Sequence, residues 1–414
     1  MKGFLNLAHV LHFFVIIAGS CVYGADLKLG IENASQLLKY TYNKKKIMQC
    51  KVGFITNHTS KDQSGNRSVD ILLQHGLTIS YLLAPEHGFY GVVAAGKDIT
   101  NTVDKKTGIK IVSLYDQHAK REVSPEIMKS IDVLMFDVQD VGMRHYTYIA
   151  TMFYAMRSAA QHNKPFVVFD RPNPLGYRIE GPIIDEVIPG SMIAAVPIPL
   201  RHGMTVGELA QFFNRHILHN AVQLHVIKMQ NYTRFNTPDN LLKNLSPNIT
   251  SAQSCYGYSF LGLLGEVRPF DVGVGTEMPF CRIGLSEKYA VTQDVWKSLH
   301  SVLQTQGIQS HIKDYTRRNQ KFHGVTFSIN NIQQVASFEL LLKVLSLFKQ
   351  AGVPLQFSEY FDRAVGTPYV RQYIEGSLGR IALAQVINNR MYKFLTQARS
   401  AYLYAPIPQY TQMN

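Results

Sequence analysis

Residues able to carry chemistry recur in this chain just after short apolar runs. The clearest case is Leu82-Leu83-Ala84-Pro85-Glu86-His87-Gly88-Phe89-Tyr90-Gly91, where a run ends at a carboxylate and an imidazole. Pro85 and Gly88 turn the backbone, so Glu86 projects from a strand end. Partial burial beside Phe89 and Tyr90 disfavours its charged form. A carboxylic acid so placed suits protonation of a leaving oxygen near neutral pH. A second run, residues 133–136, leads into Asp137-Val138-Gln139-Asp140-Val141-Gly142-Met143-Arg144-His145-Tyr146. Strand alternation sets Asp137 and Gln139 on one side and Asp140 beyond the end. Either one carboxylate faces a substrate while another pairs with Arg144, or an Asp–Arg clamp simply holds the loop.

Residues 52–56 run into Asn57, and Phe166-Val167-Val168-Phe169 runs into Asp170 and Arg171, where Pro172 and Pro174 forbid helix and shape the loop. Arg201 and His202 precede Thr205-Val206-Gly207-Glu208, a capping box that opens a helix reaching about residue 216. The positive end of that helix favours an anionic ligand, with Arg201 as a carboxylate-binding candidate. Later, Glu266 and the turn at residues 273–280 form a loop expected to close over the crevice.

Other chemistries lack their motifs. Gly273-Val274-Gly275 has neither the later glycine nor the preceding strand of a dinucleotide fingerprint, and no Gly-x-Ser-x-Gly or His-Glu-x-x-His occurs. No cofactor is therefore expected. The fifteen histidines show no ligand spacing and there is no Cys-x-x-Cys, so no metal is expected either. Cys255 and Cys281 either pair or remain buried thiols.

The elements that must position these residues follow from periodicity. β-rich runs at residues 52–56, 79–83, 110–114, 133–136 and 166–169 alternate with helical patterns, including residues 127–131 behind Ser124-Pro125 and residues 147–161. This is the signature of an α/β fold with a Rossmann-like parallel sheet, expected over residues 25–230. In such sheets ligands bind outside the carboxyl ends of the strands. A smaller α+β C-terminal domain, residues 231–414, is expected to close the cleft. Its helices are expected at residues 293–304, 335–351 and 378–398, with a strand at 325–329.

With 46% hydrophobic and 17% charged residues in 414, the chain reads as an ordinary globular protein. Residues 1–24 read as a signal peptide, with Lys2 ahead of an apolar stretch at residues 10–18 that is too short to span a membrane. A periplasmic or secreted bacterial protein is expected. Ala18-Gly19-Ser20-Cys21 echoes a lipoprotein cleavage site, an alternative that would anchor the product through Cys21. The formal charge of +13 favours anionic partners. Export and scattered basic residues argue for an acidic wall polymer or membrane surface over nucleic acid.

Several stretches together resemble the NamZ-type exo-β-N-acetylmuramidases. They are Gly53-Phe54-Ile55-Thr56-Asn57-His58-Thr59-Ser60, Pro85-Glu86-His87-Gly88-Phe89-Tyr90-Gly91, the segment from Asp137 to Tyr148, Asp170-Arg171-Pro172-Asn173-Pro174-Leu175-Gly176, Glu180-Gly181-Pro182, Arg201-His202-Gly203-Met204-Thr205 and Ser246-Pro247-Asn248-Ile249. The resemblance implies a site between a Rossmann-like domain and a smaller one. It also implies release of N-acetylmuramic acid from the non-reducing end of peptidoglycan fragments, with Glu86 as acid. The chain departs from the family pattern at Glu266-Val267-Arg268-Pro269, Gly273-Val274-Gly275-Thr276, His145 and Tyr177.

On this reading a second carboxylate, Asp140 ahead of Asp137 and Glu266, serves as base, nucleophile or charge stabiliser. Arg201 or Arg144 holds the lactyl carboxylate. Asn57, Gln139 and Tyr146 bind hydroxyl or acetamido groups, with His87 and His202 also against the sugar. The rival expectation is a cell-envelope protein that captures muropeptides without cleaving them.

Overall fold

The structure is a computed structural model that describes residues 26–115, 122–235 and 237–413. The signal-peptide reading and Cys21 lie outside the described residues.

The first part of the chain supplies β1 (Lys51–Thr56), β2 (Thr78–Ala84), β3 (Thr102–Val103), β4 (Lys110–Ser113), β5 (Val133–Asp137), β6 (Phe166–Phe169), β7 (Arg178–Ile183), β8 (Pro199–Arg201) and β9 (Leu224–Ile227). Seven of these form one sheet in the order β9-β6-β5-β1-β2-β4-β3, parallel except for β3 against β4. From β1 the order runs outward both ways, which is the doubly wound arrangement. Its switch point falls between β1 and β5, whose ends lead to Asn57 and to the loop after Asp137, and β2 delivers Glu86 on the other side of β1. The central strands read as apolar runs because both faces are covered. Val52, Phe54, Leu82 and Val167 pack on one side with Leu29, Ile31 and Leu37, and Ile55, Leu83 and Leu134 pack on the other.

Helices α1 (Ser68–Gln74), α2 (Pro125–Ser130), α3 (Thr147–Gln161) and α4 (Val206–Phe212) lie between the strands in sequence. The caps are those the sequence signals. The Ser124 hydroxyl accepts the Ile127 N–H, and at α4 the Thr205 hydroxyl accepts the Glu208 N–H while Glu208 accepts the Thr205 N–H at 3.0 Å.

The second part contains α5 (Ala252–Leu264), β10 (Arg282–Ser286), α6 (Gln293–Gln304), β11 (Ile308–Arg317), β12 (Gln320–Ile329), α7 (Ser337–Gln350), α8 (Phe361–Val365), α9 (Tyr369–Glu375) and α10 (Arg380–Ala398). β10, β12 and β11 form an antiparallel sheet in that order. Helix α5 occupies part of what reads as a glycine-rich stretch. Gly257 serves packing there, since a Cβ at this position would lie 1.7 Å from the Phe280 carbonyl oxygen. The apolar cluster around Leu134 and α3 continues into α5, α7 and α10, so the two parts share one core.

A strap from the far end of the chain returns to the first sheet region. β13 (Gln409–Tyr410) pairs in parallel with β7, the Tyr404 hydroxyl donates to Asp170 Oδ2 at 2.7 Å, and the Leu403 N–H donates to Glu208 Oε1 at 2.7 Å. Cys255 and Cys281 are buried free thiols, so the bridge left open by the sequence does not form. Among the described residues no helix is long and apolar enough to cross a membrane.

Candidate active site

The turn after β2 is built to hold one carboxylate. His87 has φ +69° and Gly88 and Gly91 also have positive φ, a strained backbone that any L side chain at Gly91 would worsen by meeting the His58 ring at 2.1 Å. His87 Nδ1 lies 2.8 Å from the Val93 carbonyl oxygen, tying the turn to the loop that follows. Glu86, only 7% exposed, accepts the Gly96 N–H on Oε1 at 2.9 Å and the Thr147 hydroxyl on Oε2 at 2.7 Å. Thr147 is the first residue of α3, so one loop and one helix end fix the carboxyl together.

Glu86 lines a cavity of about 1020 Å³, roomy enough for a sugar unit or more. His87, His145, Tyr146, Thr147 and Tyr258 share its wall. The second part of the chain closes it through Glu266, Asp271, Phe280, Arg317 and Arg363. Glu266 therefore does face the crevice, where its Oε2 accepts the Ser358 hydroxyl. Tyr258 marks the electrostatic centre. Burial, with the carboxylates of Glu86, Asp140 and Glu266 nearby, pushes its phenol pKa well up. His145 stacks on Tyr258 at 4.9 Å between ring centroids, and burial pulls its pKa down to about 3.

Several residues expected to touch substrate sit behind that wall. Asp137 is fully buried, bound by Arg171 through Nε and, at 2.8 Å, through Nη2, and by the Ser68 hydroxyl; it is a structural anion. Its partner is Arg171 and not Arg144. Arg144 has no carboxylate partner and donates to the carbonyl oxygens of Pro182 (2.7 Å), Ile198 (3.0 Å) and Ala364 (2.8 Å). Arg201 is also enclosed, at 2.7 Å from Glu180 Oε1 with further bonds to Leu175, Ile332, Val335 and Ser337. Arg201 spends every donor but Nε inside the fold and Arg144 spends three of its five, and both are buried away from the cavity wall, so neither arginine is open to a lactyl carboxylate. The positive end of α4 is likewise filled from within: Asp170 accepts the Gly207 N–H at 2.7 Å and the Thr205 hydroxyl at 2.9 Å.

Beneath the cavity the remaining candidates form a linked group. Asn57 Oδ1 accepts from Thr59, whose hydroxyl oxygen accepts the Gln139 N–H at 3.0 Å, and Gln139 Nε2 donates to the Asp140 carbonyl at 2.8 Å. Asp140 Oδ2 accepts the Gly142 N–H at 2.7 Å and lies 3.9 Å from His202 Nε2. Each member keeps one buried polar atom without a partner: Asn57 Nδ2, Gln139 Oε1, Asp140 Oδ1 and His202 Nε2. Tyr146 bridges the two levels, lining the cavity while its hydroxyl donates to the Leu245 carbonyl at 3.2 Å.

Residues 52–253 match the family model for the N-terminal part of the exo-β-N-acetylmuramidase NamZ, and residues 256–404 match its C-terminal part. The chain belongs to the NamZ family of exo-β-N-acetylmuramidases. It is 34% identical over 373 residues to the peptidoglycan β-N-acetylmuramidase NamZ of Bacillus subtilis, covering 87% of this chain and 88% of that protein. Among solved structures, two DUF1343 family proteins of Bacteroides fragilis superpose with TM-scores of 0.78 and 0.69 at 28% and 27% identity. They cover 91% and 92% of this chain and 99% of their own.

NamZ family members are glycosidases, and glycosidases as a rule set paired carboxyl groups about the scissile bond. Among the described residues the carboxylates open to the cavity are Glu86 and Glu266, while Asp271, also on its wall, is taken up by Tyr315 and Arg317. Thr147, Tyr258 and Arg363 also line the cavity, Thr147 inside the segment from Asp137 to Tyr148 without being singled out there and the other two outside every motif. Thr147 could have been found as the helix start that faces Glu86, whereas Arg363 carries no local signal at all.

Proposed function

We propose that this protein hydrolyses the β-1,4 bond that follows a non-reducing-end N-acetylmuramic acid in peptidoglycan fragments, with Glu86 as general acid. The observation that carries this reading is a buried carboxyl held by two donors at the wall of a sugar-sized cavity. Glu86 delivers its proton to the glycosidic oxygen as the bond to the anomeric carbon breaks. Glu266, from the opposite part of the chain, faces the oxocarbenium-like centre or the incoming water. Asp140 adds negative potential from beneath the cavity, a change from the direct role the sequence suggests for it. Tyr146 and Tyr258 supply faces and hydroxyls for the sugar. Membership of the NamZ family and the name of the Bacillus subtilis relative support the substrate class. We also propose export to the periplasm or beyond, on the sequence pattern of residues 1–24.

The test is release of N-acetylmuramic acid from a defined N-acetylmuramyl-β-1,4-N-acetylglucosamine disaccharide. Glu86→Gln keeps the size of the side chain and is expected to lower kcat by about 10²- to 10⁴-fold, the usual worth of a positioned acid. A Glu86→Gln protein that works within about threefold of the original removes the assignment.

A further inference from the structure

Of the cationic side chains that the described residues place on the cavity wall, one is unspent. Arg317 is committed to Asp271 and, through Nη2, to the Val274 carbonyl. His87 is turned to Val93, and His145 is held neutral by burial. Arg363, in α8, is half-buried, lines the cavity, and has no hydrogen bond or ion pair among the described residues. Its helix is held firmly on either side. Asp362 is bound by Arg371 at 2.9 Å, and the Ala364 carbonyl accepts from Arg144 Nη2 at 2.8 Å. At Gly366, with φ +89°, a Cβ would stand 2.5 Å from the same Arg144 nitrogen, so the helix end is fitted to that guanidinium.

We propose that Arg363 is the residue that recognises the lactyl carboxylate of N-acetylmuramic acid. Arg144, one of the two arginines expected from the sequence to do this, acts one step removed by seating the helix that carries Arg363, and Arg201, the other, is enclosed. The inference rests on the muramidase reading above for its ligand. An anionic sugar entering beside Glu86 and Glu266 needs a cation at the wall, and a guanidinium fits a carboxylate with two parallel N–H donors. An unpaired arginine in a half-buried position gives up no existing ion pair when the ligand arrives.

Calorimetry with free N-acetylmuramic acid and with its lactyl methyl ester separates the two ideas. The original protein is expected to prefer the acid by about 10- to 100-fold, the range for a charge-assisted pair. Arg363→Gln is expected to bind acid and ester alike, with ester affinity and melting temperature unchanged, and Arg363→Lys to fall between. Retention of the preference in Arg363→Gln, equal losses on both ligands, or no preference in the original protein would overturn the proposal. Loss of preference in a protein that cleaves no disaccharide would uphold Arg363 and discard the hydrolase reading.

Discussion

Changing Asp137 to asparagine removes the counter-charge of a guanidinium that has no access to water. Asp137 and Arg171 are 0% and 1% exposed, and the carboxylate takes two bonds from Arg171 and one from the Ser68 hydroxyl. An amide in its place presents one oxygen and one N–H₂ group, so Arg171 loses one acceptor and faces a donor. Breaking a buried ion pair from one side costs about 3–5 kcal/mol. At roughly 2 °C per kcal/mol for a long chain, the melting temperature should fall by about 6–10 °C. The double variant Asp137→Leu with Arg171→Met, which removes both charges, should recover much of that loss. Circular dichroism melts of the three proteins provide the measurement, with N-acetylmuramic acid binding at 20 °C as a control. Were Asp137→Asn to melt within 2 °C of the original and lose ligand affinity instead, the carboxylate would face substrate and the clamp would be wrong.

His145 offers a pH test. Its folded pKa of about 3 lies below the unfolded value near 6.5, so the unfolded chain takes up a proton first as the medium is acidified. Stability present above pH 6.5 is thus lost as pH falls through this window, by about 2–3 kcal/mol at pH 4.5. His145→Phe should remove this share, leaving those of His58, whose pKa burial lowers to about 4, and of His216 and His225, whose pKa values burial also lowers. Urea midpoints at pH 6.5 and 4.5 that shift equally in both proteins would count against it. Gly142→Ala should cost roughly 1–3 kcal/mol, because φ is +90° and a Cβ would stand 2.3 Å from Asn173 Oδ1. Its melting curve and its activity should fall together, since the Gly142 N–H holds Asp140.

The sheet and the helices with strong periodicity were legible because their signals are local. The strands at Lys51–Thr56 and Phe166–Phe169, the capped starts at Ser124 and Thr205, and the helix Gln293–Gln304 all stand where the pattern sets them. β9 is short and mixed in character, and β11 runs exposed and polar, so neither shows a strong strand pattern. α5 was hidden by its glycines, of which Gly257 answers to the Phe280 backbone and Gly262 to the His145 and Tyr258 rings, and neither to a turn. Glu86 and Glu266 both line the cavity, Glu86 within a motif at a strand end and Glu266 at a point where the chain departs from the family pattern. Partner choice was the part that sequence could not supply. Asp137 reaches 34 positions along the chain to Arg171, and Arg144 reaches 220 to Ala364, so which charges are spent inside the fold depends on packing.

The strap from Leu403 to Tyr410 bears on the order of assembly. Asp170 and Glu208 are interior acids of the first sheet region, yet each receives a donor from residues 403 and 404, more than 190 positions downstream. A nascent chain emerging in sequence would carry these two carboxylates with acceptor positions unfilled until that late segment left the ribosome. The donor sets of Asp170 and Glu208 would then be completed only after synthesis of the second part.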